Sequence, residues 1–298
     1  MKIGRGMLKA LVNFLDSGSK RRAKKVPFSS QKENKYDIPY IDDGKELHKF
    51  DIYYAKENRL NKTILDIHGG AYVKGSRKNQ FYYAQVFKSK GYDVLVNDYD
   101  LVSEKTNRSV EDEIKDCVSM INYLDSHLNE LNLSNELYLT GDSAGGHFAL
   151  LLAEMFNNET LSLRFGLNIK NLKLKCVLVN CPVYDFEKAS KVKSFSDSAR
   201  KYLFGKISIK DDWARMLSPK EYIKDINVPV FVSSAKNDFL LNEAISLNDD
   251  LNKFGYEHEY EYIDSPNKKV SHVHNVIYLD LEESKYINGK MLDFMEKY

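Results

Sequence analysis

Apolar and polar positions along this chain alternate between two periods. Short β-branched or alternating apolar runs recur at Ile64 to Ile67, Val94 to Asn97, Leu137 to Thr140, Cys176 to Asn180, Val230 to Ser233 and Glu257 to Ile263. Runs of this length and content read as strands. Between them lie stretches of helical spacing, Phe81 to Ser89, Val110 to His127 and His147 to Phe156, and a last amphipathic run from Glu282 to Lys297 is expected to pack on the sheet. Residues 36 to 56 read as an early hairpin turning at Asp42-Asp43-Gly44. Alternation of this kind predicts an α/β architecture with a doubly wound, mostly parallel eight-stranded sheet and right-handed crossovers.

Two segments stand outside the alternation. Asp185 to Asn227, between the sixth and seventh strands, holds Phe186, Phe195, Tyr202, Phe204 and the only tryptophan, Trp213. It reads as part of a lid whose aromatics mostly form a small core of their own. Near the N-terminus, Ile3, Met7, Leu8, Leu11, Val12 and Leu15 share one helical face, and Lys20-Arg21-Arg22-Ala23-Lys24-Lys25 follows. Residues 1–35 are therefore expected to form a helical lid segment, and residues 36–298 the main domain. A cap helix with a solvated basic loop is favoured over a membrane anchor, because one short amphipathic helix binds a membrane only marginally. Lys and Asn interrupt its apolar residues and no small-residue cleavage site follows, unlike a signal peptide.

Composition narrows the picture. With 298 residues and 43% apolar content the chain is long enough for one large sheet covered on both faces. A formal net charge of +1 provides no field for nucleic acid. Cys117, Cys176 and Cys181 are odd in number and lack metal spacing, so they read as reduced, mostly buried residues of a cytoplasmic protein. No HExxH or CxxC pattern appears, so the sequence implies neither metal nor other cofactor. No apolar run reaches the length of a membrane span.

The chemistry concentrates at the ends of the predicted strands. Leu137 to Thr140 runs into Gly141-Asp142-Ser143-Ala144-Gly145-Gly146, and a helix-like run starts at His147. That is the form of a nucleophile elbow, in which a strained turn lifts a serine hydroxyl clear of the sheet. Upstream, the strand Ile64 to Ile67 runs into His68-Gly69-Gly70-Ala71. Two adjacent glycines let bare amides approach a substrate oxygen, so the N–H groups of Gly69, Gly70 and Ala144 are assigned to a developing oxyanion. Asp238 follows the strand Val230 to Ser233 in a turn, where a carboxylate can orient an imidazole. After the last strand, Ser271-His272-Val273-His274 offers two histidines suited to general base chemistry. The residues alone leave His272 and His274 both open, while His258, mid-strand, reads as solvent-facing. The chain order is serine, aspartate, histidine, the order of α/β-hydrolases.

These motifs resemble a known family. His68-Gly69-Gly70-Ala71 is similar to a His-Gly-Gly-Gly motif, and Gly141-Asp142-Ser143-Ala144-Gly145-Gly146 matches Gly-Asp-Ser-Ala-Gly-Gly, both of the hormone-sensitive-lipase-like branch of α/β-hydrolases. The resemblance runs from about Tyr36 to the C-terminus, with echoes at Asp51-Ile52-Tyr53-Tyr54, Asn97-Asp98-Tyr99 and Ser218-Pro219. That branch often ends its triad with Gly-His-x-Phe. Ser271-His272-Val273-His274 aligns with it and places His272 on the general base. Three positions depart: Ala71 for the third glycine, Asp100 for a customary arginine, and Ser271 for the glycine before the histidine. Asp100 is expected to lack the branch's ion pair. The resemblance implies a serine carboxylesterase with a triad of Ser143, Asp238 and His272, acting on a small-molecule ester of short acyl chain. A non-catalytic small-molecule binder and an amidase are the alternative readings of the same fold.

Overall fold

A computed structural model describes residues 5, 6, 9, 33–103, 107–191, 196–205 and 212–298 of the chain. The apolar face expected between Ile3 and Leu15, the basic run that follows it, and Phe195 lie outside the described residues.

The strands are β1 (Lys35–Pro39), β2 (Lys49–Tyr53), β3 (Thr63–Ile67), β4 (Asp93–Asn97), β5 (Glu136–Asp142), β6 (Lys173–Asn180), β7 (Val230–Ala235) and β8 (His258–Ile263). They form one eight-stranded sheet in the order β1-β2-β4-β3-β5-β6-β7-β8. β2 pairs antiparallel with β1 and β4, and every other pairing is parallel. Central strands are buried on both faces, which explains their near-continuous apolar content. Leu65, Ile67, Leu137, Leu139, Val230 and Val232 point to one face. There they meet the helices Val110–Leu131, Ala144–Met155 and Leu241–Phe254 through residues such as Ile114, Phe148 and Leu247. Ile64, Tyr138 and Phe231 point to the other, against Tyr83, Phe87, Ile287, Met291 and Phe294 of the helices Phe81–Lys88 and Glu282–Met295. At the edge, the pattern of β8 is half-buried, and its glutamates face Lys290 and Lys297. His258 is not simply solvent-facing: its ring nitrogens lie 2.8 Å from the Tyr256 carbonyl and 3.2 Å from Asn248 Oδ1.

The segment between β6 and β7 carries three short helices, Phe186–Ser190, Asp197–Phe204 and Asp212–Met216. Its aromatics do not form a core of their own. Phe186 stacks on His147 with ring centres 5.0 Å apart, and both Phe186 and Phe204 pack edgewise or tilted on Tyr72. Trp213 joins through Phe186 at 5.8 Å. Tyr202 remains only partly buried. The segment is thus continuous with the main core, because Tyr72, His147 and Phe148 present aromatic faces at the carboxyl end of the sheet.

Candidate active site

Open parallel sheets place loops at the carboxyl ends of their strands, and four such ends meet here. The end of β5 turns at Ser143, whose φ of 53° and ψ of −115° lie outside the regions an L-residue ordinarily occupies. The turn is fixed by Ser143 N–H donating to the Asn180 carbonyl at 2.9 Å and by the His147 N–H donating to the Ser143 carbonyl at 3.1 Å. The helix starts at Ala144, three residues before the apolar run at His147. Glycine is a poor helix former, so propensity hides that first turn. Proximity requires it: a Cβ on Gly145 would lie 1.9 Å from the Ile67 carbonyl oxygen, and one on Gly141 2.4 Å from the Gly145 carbonyl oxygen.

Beside Ser143 the structure brings Asp238 and His272. An isolated parallel bridge between Asn237 and Ser271 continues the pairing of β7 and β8, so the acid and histidine loops leave the sheet side by side. His272 Nε2 lies 3.0 Å from Ser143 Oγ, and its Nδ1 lies 2.7 Å from Asp238 Oδ1. With Nδ1–H donating to the carboxylate, Nε2 is left to accept from the serine hydroxyl. Asp238 Oδ1 also accepts the Leu240 N–H at 2.9 Å, which pins the carboxylate within its own turn. The Asp238 side chain is fully buried, whereas that of His272 keeps 13% of its surface exposed. His274 is buried, with Nδ1 3.2 Å from the Ser271 carbonyl, and burial lowers its pKa.

The loop after β3 departs from expectation at one residue. Gly69, expected to offer its amide to a reacting oxygen, donates it to Asp142 Oδ1 at 3.0 Å. Asp142 closes β5 next to Ser143, so its carboxylate reaches the first amide of the neighbouring loop and also takes Gln80 Nε2 at 2.6 Å. Burial raises the pKa of Asp142, and the Gly69 amide opposes that shift. The next two amides, of Gly70 and Ala71, and that of Ala144 donate to no described residue. Gly70 has φ of 141° and its pro-Cβ position meets the Lys74 carbonyl at 1.9 Å, so no other residue fits. His68 itself stacks on Tyr99 at 4.3 Å, and Tyr99 OH donates to the His68 carbonyl at 2.7 Å.

Several supporting residues carry no motif signal. His147 donates from Nε2 to the Leu217 carbonyl at 2.5 Å and accepts Tyr72 OH at Nδ1, 3.0 Å away. Burial pushes its pKa down to about 4, so the ring is neutral and ties the β6–β7 segment to the elbow helix. Cys181, legible only as a buried thiol, lies with Sγ within 4.8 Å of ligand-type atoms of Asp238 and His272, and accepts the Val273 N–H at 3.3 Å. Within this trio Asp238 Oδ1 and His272 Nδ1 face each other at 2.7 Å, a hydrogen-bond distance. Asp100 makes ion pairs of its own, with Lys45 at 3.0 Å and Arg108 at 3.7 Å. The three cysteines are free and buried. Among the described residues no helix is long and apolar enough to cross a membrane.

Comparison with solved structures finds the same architecture. Esterase B from Lactobacillus rhamnosis, inhibited in its crystal, superposes with a TM-score of 0.82 at 22% identity, covering 97% of this chain and 96% of that one. A hyperthermophilic esterase from the archaeon Pyrobaculum calidifontis gives 0.70 at 17% identity over 97% and 93% of the two chains. A truncated carbohydrate esterase from gut microbiota gives 0.69 at 18% identity over 89% and 95%. No curated protein sequence matches the chain. The family model described as BD-FAE matches residues 50–250, well over half of the length. The chain belongs to the BD-FAE family and carries the α/β-hydrolase fold of the hormone-sensitive-lipase-like branch.

Proposed function

We propose that the protein is a serine carboxylesterase that works through an acyl-enzyme. The observation that carries the reading is the relay from Ser143 Oγ through His272, 3.0 Å on one side and 2.7 Å to Asp238 on the other. His272 Nε2 removes the hydroxyl proton as Ser143 Oγ attacks the ester carbonyl. Asp238 keeps the ring in the right tautomer and stabilises the imidazolium. The amides of Gly70, Ala71 and Ala144 receive the oxyanion, since Gly69 is engaged by Asp142. His272 then gives its proton to the departing alcohol, and a water activated by the same ring releases the acid. Several solved structures with this fold are esterases by name, which supports the bond type.

A short acyl chain fits the aromatic packing above the elbow. Tyr72, Phe186, Phe204 and Trp213 are buried against one another, with ring centres 5.5 to 5.8 Å apart. Among p-nitrophenyl esters, acetate and butyrate are expected to turn over faster than octanoate. The test of the mechanism is Ser143→Ala together with a fluorophosphonate probe. Wild type takes the label and hydrolyses p-nitrophenyl acetate, and the variant does neither while keeping its far-UV circular dichroism. An unlabelled Ser143 in the wild type would favour a non-catalytic binder on this fold.

A further inference from the structure

Beside the His272 ring stands Phe239. It follows the buried Asp238 directly, yet it is 68% exposed. Its ring centre lies 4.2 Å from that of His272, with a 39° tilt between the planes. The backbone on either side is held. Asp238 N–H donates to the Ala235 carbonyl at 3.0 Å, the Leu240 N–H to Asp238 Oδ1 at 2.9 Å, and the Leu241 N–H to the Asp238 carbonyl at 3.2 Å. Phe239 is therefore an apolar ring presented on a rigid turn, beside the imidazole and open to solvent. The nearest basic neighbour in sequence, Lys236, pairs with Asp264 at 2.9 Å.

Resting on the esterase reading, the chemistry says what passes this ring. The departing oxygen takes its proton from His272 Nε2 and so must come within about 3 Å of it. The alcohol portion then extends over the rim of the imidazole, where Phe239 stands. We propose that Phe239 is a specificity-determining platform for the alcohol portion, selecting neutral alcohols that carry a ring with a flat apolar face. Phenylalanine leaves a large apolar surface in water when two-thirds open, and a ring laid against it removes that surface from water. Aryl-methyl alcohols and pyranose sugars both present such a face.

The experiment compares acetates that share the acyl group and differ in the alcohol. kcat/KM is measured for ethyl acetate, benzyl acetate and methyl 6-O-acetylglucopyranoside in wild type, Phe239→Ala and Phe239→Trp. Wild type is expected to prefer the ring-bearing esters over ethyl acetate by roughly three- to tenfold, the range an aromatic pair contributes. Phe239→Ala loses that preference mainly through KM, and Phe239→Trp retains it. Loss confined to the benzyl ester assigns the platform to aryl rings, and loss on both assigns it to flat rings in general. A Phe239→Ala variant that slows ethyl and benzyl acetate equally would mean that the ring only braces His272, and it overturns the proposal, as does a variant with unchanged selectivity. If wild type cleaves none of the esters, the esterase reading fails by itself. Benzyl alcohol titrated calorimetrically then decides on Phe239: binding lost in Phe239→Ala supports the platform, and equal binding refutes it.

Discussion

Replacing Gly145 by alanine tests whether the serine turn and the His-Gly-Gly loop form one mechanical unit. The added Cβ would sit 1.9 Å from the Ile67 carbonyl oxygen and 2.7 Å from that of His68, where ordinary contact begins at 3.4 Å. The obstructing atoms are backbone at the end of β3, and no side chain can swing aside to relieve them. Relief therefore moves either the elbow helix or the loop that begins at His68, by about 1 Å or more. Overpacking of this kind costs about 1–3 kcal/mol, and the backbone obstacle places it toward the upper end. The same shift separates Ser143 Oγ from the amides of Gly70 and Ala71. A misplacement of about 1 Å costs on the order of 10²-fold in rate, close to 2.7 kcal/mol. The assay is kcat on p-nitrophenyl acetate beside the thermal midpoint by circular dichroism. A Gly145→Ala enzyme with wild-type kcat and an unchanged midpoint would refute the reasoning, since it would show that the turn and the loop accommodate a methyl group without moving.

Two further outcomes follow from burial and space. Gly289 lies inside the helix Glu282–Met295, and a Cβ there meets nothing within 4 Å, so Gly289→Ala should raise the urea midpoint by the equivalent of about 0.5–1 kcal/mol; a lowered midpoint would contradict it. His147, with a pKa lowered from 6.5 to about 4 by burial, takes up its proton more readily unfolded than folded, so its contribution is full above pH 6.5 and is lost as pH falls toward 4, by up to about 3 kcal/mol. His147→Asn should lose less stability than wild type between pH 7 and pH 5 in urea titrations, and an equal loss would remove His147 as the source.

The sheet and the order of the site were legible because each rests on a local signal. Short apolar runs gave the central strands within one to three residues, and the Gly-Asp-Ser-Ala-Gly-Gly turn marked Ser143. Asp238 was legible from its place after a strand, and His272 needed the family resemblance to separate it from His274. What stayed hidden depends on contacts distant in the chain. The Gly69 amide looks as available as that of Gly70 in sequence, and only the carboxylate of Asp142, 73 positions later, turns it aside. The start of the elbow helix was hidden because glycines contradict helix propensity where a neighbouring strand forbids side chains. The aromatics between β6 and β7 read as a separate cluster, since nothing local says that Tyr72 and His147 present rings to them.

Backbone strain draws these particulars together. Ten described residues other than glycine have positive φ. Five are Asn or Asp, residues that tolerate the left-handed region. The other five are Ala71, Tyr72, Ser143, Cys181 and Val273, with φ between 49° and 65°. All five border the site: Ala71 and Tyr72 follow Gly70, Cys181 lies against Asp238 and His272, and Val273 follows His272. Each such conformation costs on the order of 1–3 kcal/mol and persists only where its surroundings over-determine it. Here they do. The Val102 N–H donates to the Tyr72 carbonyl at 3.0 Å, Tyr72 OH is held by His147, and the Val273 N–H by Cys181 Sγ. Scattered strain would signify only irregular loops. Strain gathered at the serine, at the histidine and at the loop of Gly70 and Ala71 marks the place where the fold holds side chains and N–H groups in positions that relaxed backbone would not give, and a reaction whose charge develops at one oxygen requires donors fixed in advance.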